Sequence, residues 1–207
     1  MFFPLTPVVK NLIILNALMF FGTMLLPTET RLSLSLGYFQ NEEIFEPYQL
    51  VTHFFMHQDL SHLFFNMIGL YFFGAKLEMI IGAQRFLKLF FVSALGAVVL
   101  SVGVDYLLLQ YALEGEKMTQ ASMIYWGRSW GASGGLYGVI AGAAVAFGND
   151  TFRLLIPPIP VKVKYLALFY VGISIFGAFG PSDGIGHLAH LGGALFGFLI
   201  MQYWRRS

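Results

Sequence analysis

The sequence predicts an all-α polytopic membrane protein, a six-transmembrane-helix bundle with a long membrane-associated first outer loop. Three observations carry that prediction. The 207 residues are 57% hydrophobic and only 11% charged, about half the charged fraction of a soluble domain. Mean hydropathy is +0.70. The apolar residues are also gathered into six runs long enough to be read as membrane helices. There is no cysteine, hence no disulfide framework and no thiolate metal site. A net charge of +1 carries no nucleic-acid signature.

The runs fall near 8–26, 58–77, 85–109, 133–148, 163–180 and 186–204. The first has Lys10 before its apolar stretch, like a secretory leader, but no small-residue cleavage site follows Leu26 and five more runs do. It is expected to be a retained helix of one domain covering 1–207. With the N-terminus placed inside, nine Lys and Arg (Lys10, Lys76, Arg85, Lys88, Arg153, Lys162, Lys164, Arg205, Arg206) lie inside and three (Arg31, Lys117, Arg128) outside. This predicts two cytoplasmic termini.

Two outer connections are long. The stretch 27–57 mixes LSLSLGYF with NEEIFEPYQ, and 110–132 ends in MIYWGRSWGAS. Loops of this length with apolar content of their own are often functional. Most of their residues, Tyr125, Trp126 and Trp130 included, are read as interfacial padding.

The fourth run is short. From Ser133 to Asn149 is 16 residues, roughly 24 Å of helix against a hydrocarbon core of about 30 Å. If Asn149 marks the inner surface, Ser133 starts its helix below the outer one. His190, 15 residues before Arg205, and His62, 14 before Lys76, come to a similar depth. Asn66 lies one turn below His62 on the same face. Buried polar groups in a bilayer are costly unless satisfied or facing water. Four of them at one depth therefore mark a site.

A serine and a histidine offer a nucleophile and a general base. His62 and Asn66 offer two donors to a developing oxyanion. The N–H groups at the start of the Ser133 helix favour an anion as well. The acid nearest His190 in sequence is Asp183, seven residues away in a short loop, so a Ser–His dyad is expected. Stripes of small residues, Gly134, Gly138, Gly142 and Ala146 on one helix and Ala189, Gly193 and Gly197 on another, allow the close approach that would bring Ser133 and His190 together.

Singly, each polar residue has a structural reading, and for His53, His57 and His187 that reading is preferred. H-E-x-x-H is absent, since GHLAH spaces His187 and His190 by three and has no glutamate. An aspartyl protease needs a pair of membrane aspartates, and Asp105 is alone. A histidine-ligated metal or haem would need His57, His62, His187 and His190 to converge.

The motifs HFFMHQDLSHLFFN, GASGGLYG and AHLGGALFG, in that order on the second, fourth and sixth runs, resemble those of the rhomboid family of intramembrane serine proteases in its bacterial six-helix form. The resemblance extends over essentially the whole chain. It implies that Ser133 is the nucleophile and His190 the general base, with His62, Asn66 and the Ser133 backbone N–H as the oxyanion hole. Gly131 opens the G-x-S-G pattern. Tyr137 matches the tyrosine that packs on the catalytic imidazole, and His53 and His57 match supporting histidines that hold the first loop or admit water. The family uses no cofactor or metal. Its partners are single-pass membrane-protein substrates and the surrounding lipids. A bacterial inner membrane, with the site opening toward the outer face, is the implied location. A catalytically inactive relative acting as a membrane chaperone or dislocation factor is the alternative, although it would normally lack the serine or the histidine. One departure stands out. The family usually has Trp-Arg where this chain has Tyr48-Gln49, which predicts a less firmly anchored first loop.

Overall fold

The computed structural model describes residues 4–115, 118–125, 127–153, 159–180 and 186–206. Lys117, Trp126 and Asp183, named above, lie outside them, as does the side chain of Tyr125. The described helices are α1 (Pro7–Met24), α2 (Thr28–Ser33), α3 (Gln49–Thr52), α4 (Leu60–Gly69), α5 (Ala75–Ile81), α6 (Ala83–Glu114), α7 (Met118–Tyr125), α8 (Ser133–Phe147), α9 (Val163–Ala178) and α10 (His187–Arg206). A π-helical turn, Leu70–Gly74, joins α4 to α5 into one rod.

Each of the six apolar runs overlies a helix. Three are long and apolar enough to cross a membrane: Pro7–Met24, Leu60–Ile81 and Ala83–Glu114. Ser133–Phe147 and Val163–Ala178 are apolar but shorter. The expected third run stopped at 109. The helix instead continues to Glu114, because Leu109 and Ala112 bury against Tyr38 of the first loop and Ala121 of α7.

The ends of these helices follow from local chemistry. Pro7 sits in the first turn of α1, where its missing N–H costs nothing. The N–H groups of Val8 and Val9, which lie in the first turn and have no partner within the helix, donate to the Glu78 carboxylate at 3.0 and 2.9 Å, and the Thr6 hydroxyl donates to it at 2.5 Å. A carboxylate from α5 thus caps α1 from 70 residues away. Gly82, at φ +80°, ends α5 and starts α6. Asp59 caps α4, accepting from the His62 N–H at 2.8 Å, which fixes His62 in the first turn of its helix.

An all-α chain was expected, yet two short antiparallel ladders are present. β1 (Leu36–Gly37) pairs with β2 (Arg128–Ser129), and β3 (Thr151–Arg153) pairs with β4 (Pro160–Lys162). Four strands of two or three residues carry no alternating pattern that a sequence could display. The first ladder joins the two long loops. Arg128 adds a bond from its guanidinium to the Leu32 carbonyl at 2.6 Å.

Gln49 completes the fixing of the first loop. It is fully buried; its side-chain oxygen accepts from the Gly37 N–H at 2.9 Å, and its amide donates to the Ser33 and Ile44 carbonyls at 3.0 and 2.8 Å. The loop expected to be loosely anchored is instead held by the residue standing in the arginine's place, because an amide can both donate and accept where a guanidinium only donates.

The core forms where α6, α8 and α10 touch. Phe86, Leu89 and Phe90 of α6 and Val139 of α8 are fully buried. A Cβ added at Gly193 would overlap the Gly134 backbone, and one at Gly197 the Gly138 backbone. The two small-residue stripes therefore meet directly, backbone against backbone.

Candidate active site

Ser133 is the first residue of α8. Before it, Gly131 has φ +114°, a conformation that residues with a side chain rarely adopt. Its N–H donates to the His53 carbonyl at 2.8 Å, tying the entry of α8 to the turn that leads into α4. A Cβ at Gly131 would lie 2.9 Å from His62 Nε2. Glycine is needed here on both counts, because any side chain would be strained and would displace the imidazole.

His190 lies in the first turn of α10 and is buried. The Gly134–Gly193 contact brings its Nε2 to 2.9 Å from Ser133 Oγ. The Tyr137 ring stacks on the His190 ring with centroids 4.1 Å apart and planes 8° apart. The Tyr137 hydroxyl in turn accepts from the Ser174 hydroxyl of α9 at 3.2 Å. Three helices therefore determine the plane of one imidazole.

Both residues expected to hold an oxyanion border the same cavity as Ser133 and His190. The Gln58 N–H approaches His62 Nδ1 at 3.5 Å, an arrangement that leaves the proton on Nε2, the nitrogen facing Gly131. Asn66 donates one amide N–H to the His62 carbonyl at 2.8 Å, and its second N–H remains available.

The supporting histidines divide. His53 is buried and its Nδ1 lies 2.5 Å from the Gln49 carbonyl, to which it donates. Burial pushes its pKa down to about 4. His57 is 1% exposed, and its ring stands edge-on to that of His62 with centroids 4.9 Å apart. Burial first, and then the neighbouring His62, push its pKa down to about 4. His187 lies edge-on to His190 at 6.1 Å. Among the described residues no three His, Asp or Glu group as metal ligands.

Ser174 and Asp59 were not singled out from the sequence, and Gln49 was singled out for the opposite of the role it has. Asp59 directly before an apolar run is a legible capping signal. Ser174 is the only hydroxyl-bearing Ser or Thr within α9, a signal that the depth argument could have used.

The cavity itself holds about 1,130 Å³. It runs from Ser133 and His190 between α4 and α9 toward Phe152 and Leu166. A hydroxyl bonded to an imidazole at a helix N-terminus, facing a groove between apolar helices, is an arrangement suited to acyl transfer within a membrane.

Residues 45–207 match the rhomboid domain. The chain belongs to the rhomboid family. It is 27% identical to Rhomboid protein 1, mitochondrial, of Saccharomyces cerevisiae over 88% of this chain and 49% of that protein. It is 31% identical to RHOMBOID-like protein 12, mitochondrial, of Arabidopsis thaliana over 70% of this chain and 43% of that one. With Rhomboid protease AarA of Providencia stuartii it shares 26% identity over 70% of this chain and 51% of that one. The chain thus spans about half the length of these curated relatives. Two of the three are mitochondrial by name, so they do not single out a bacterial inner membrane.

Proposed function

We propose that this chain is an intramembrane serine endopeptidase, a single domain of six membrane-crossing helices that cleaves membrane-spanning segments of other proteins through a Ser133–His190 dyad. The observation that carries the reading is the 2.9 Å Ser133–His190 bond at the mouth of a groove between apolar helices. The short α8 and α9 count as crossings because both are apolar and both pack against α10 in the bundle. Both termini then lie on one side of the membrane, at the Phe147 end of α8.

In the proposed reaction, His190 Nε2 takes the Ser133 proton as Oγ attacks the scissile carbonyl carbon. The carbonyl oxygen becomes an oxyanion, held by His62 Nε2–H, the free Asn66 N–H and the Ser133 backbone N–H. Collapse breaks the C–N bond, and His190 returns the proton to the leaving amine. Water then attacks the acyl-enzyme, with the same histidine taking and returning a proton. Tyr137, held by Ser174, keeps the imidazole in plane through both steps.

The test is labelling by a fluorophosphonate probe together with cleavage of a membrane-spanning substrate. Wild type should do both and Ser133→Ala neither, with the variant still folded. Cleavage that survives in the variant would overturn the dyad. A wild type that neither labels nor cleaves would place the chain among the non-catalytic relatives.

A further inference from the structure

The cavity at Ser133 is lined by residues of both α4 and α9. Between α4 and α9 it passes Ile68, Phe72 and Leu166 and reaches Phe152 and Arg153 of the β3–β4 ladder. The Phe152 ring lies nearly parallel to Phe73 and Phe147, with centroids at 5.6 and 6.4 Å and planes 27° apart in each case. The hairpin of β3 and β4 presents it: Phe152 and its cross-strand partner Val161 are half-buried, while Thr151, Arg153, Pro160 and Lys162 are exposed.

This hairpin is pinned at both roots. Lys76 of the α4–α5 rod pairs with Asp150. On the other side, Lys164 Nζ donates to Asn149 Oδ1 at 2.8 Å, and the Val163 and Lys164 N–H groups donate to the Asp150 and Gly148 carbonyls at 3.0 Å each. A phenyl ring held between two others on a pinned hairpin is a fixed stop.

We propose that Phe152 is a specificity-determining floor, which limits how many substrate residues beyond the scissile bond can lie in the groove. The proposal rests on the endopeptidase reading. His62 and Phe73 bracket the groove along one rod and are 11 residues apart, about 16 Å at 1.5 Å per residue. Attack on a peptide carbonyl requires the substrate to be unwound there. An extended chain covers the same distance in about five residues. In a substrate whose C-terminus lies on the side of this chain's own termini, these are the five residues after the cleaved bond.

The test walks a single tryptophan along that side of a cleaved membrane-spanning substrate. In wild type, cleavage should drop by about tenfold or more as Trp reaches the fifth residue, the scale of one overpacked side chain. Phe152→Ala should restore cleavage at that position and leave fluorophosphonate labelling of Ser133 unchanged. Phe152→Trp, which raises the floor, should move the drop one residue closer to the bond. A tryptophan profile that is flat in wild type, or identical in all three proteins, would overturn the floor. Absence of both labelling and cleavage in wild type would instead overturn the endopeptidase reading.

Discussion

Asn66 has two amide N–H groups and uses one on the His62 carbonyl, so the arrangement of His62 and Asn66 depends on each. A donor aimed at charge that exists only in the transition state typically contributes about 10² to 10³ in rate. His62→Ala and Asn66→Ala should each lower kcat by that order with KM much less changed, and the double variant should lose less than the product. His53→Ala, which removes a bond to the Gln49 carbonyl, should slow fluorophosphonate labelling far less. Wild-type rates in both single variants would leave the oxyanion to backbone N–H groups alone. At this scale the sequence was readable where residues obey a depth rule. Ser133, His190, His62 and Asn66 could be placed by counting residues from a charged end, and counting needs only the helix rise. Gln49 was not readable in the same way. Its partners are backbone groups 5, 12 and 16 positions away, and their positions are set by the loop's own turns.

Among the elements, the first loop departs furthest from expectation. Comparison with Trp-Arg predicts that Gln49→Arg would tighten it. The buried amide reverses this, since arginine could not accept from the Gly37 N–H and its charge would be desolvated. Gln49→Ala leaves one N–H and two carbonyls without their partner, about 3 kcal/mol in sum. Both variants should lower the melting temperature in detergent, the alanine by roughly 6–12 °C for a chain of this size. An unchanged melting temperature in Gln49→Arg would mean that the loop has a second way to close. The β1–β2 ladder was illegible for a related reason: it joins residues about 90 positions apart through two residues on each side, too few to show any period. Phe152 was hidden as well. In NDTFR it reads as one aromatic in a polar connection, and only the hairpin turns it into the bundle.

For the whole molecule, the close contact of α8 and α10 is what the small-residue stripes announced, and the site depends on it; that α6 packs against both was not legible in those stripes. Stability over pH is a second property of the whole. His53 and His57 both have pKa values pushed down to about 4 by burial, against about 6.5 in an unfolded chain. Between those values the unfolded state binds more protons, so stability rises with pH. The stabilisation is fully present above about 6.5 and is lost as pH falls toward 4. Each histidine contributes a slope of up to about 1.4 kcal/mol per pH unit inside that window. The melting temperature should therefore fall on going from pH 7 to 5, and less steeply in His57→Phe. An equal pH dependence in that variant would remove His57 from the account.

The carboxylate of Glu78 has a consequence for how the protein is made. Helix α1 leaves the ribosome with the N–H groups of Val8 and Val9 open, and the residue that closes them is synthesised 70 positions later. Until then the first helix lacks the carboxylate that closes its N-terminus. Once Glu78 has left the ribosome, its carboxylate can join the first helix to the second. Nascent chains long enough for Glu78 to have left the ribosome should therefore protect Val8 and Val9 amides from hydrogen exchange, whereas the same chains carrying Glu78→Ala should not. Equal protection in both would mean that α1 finds its place without waiting for its cap.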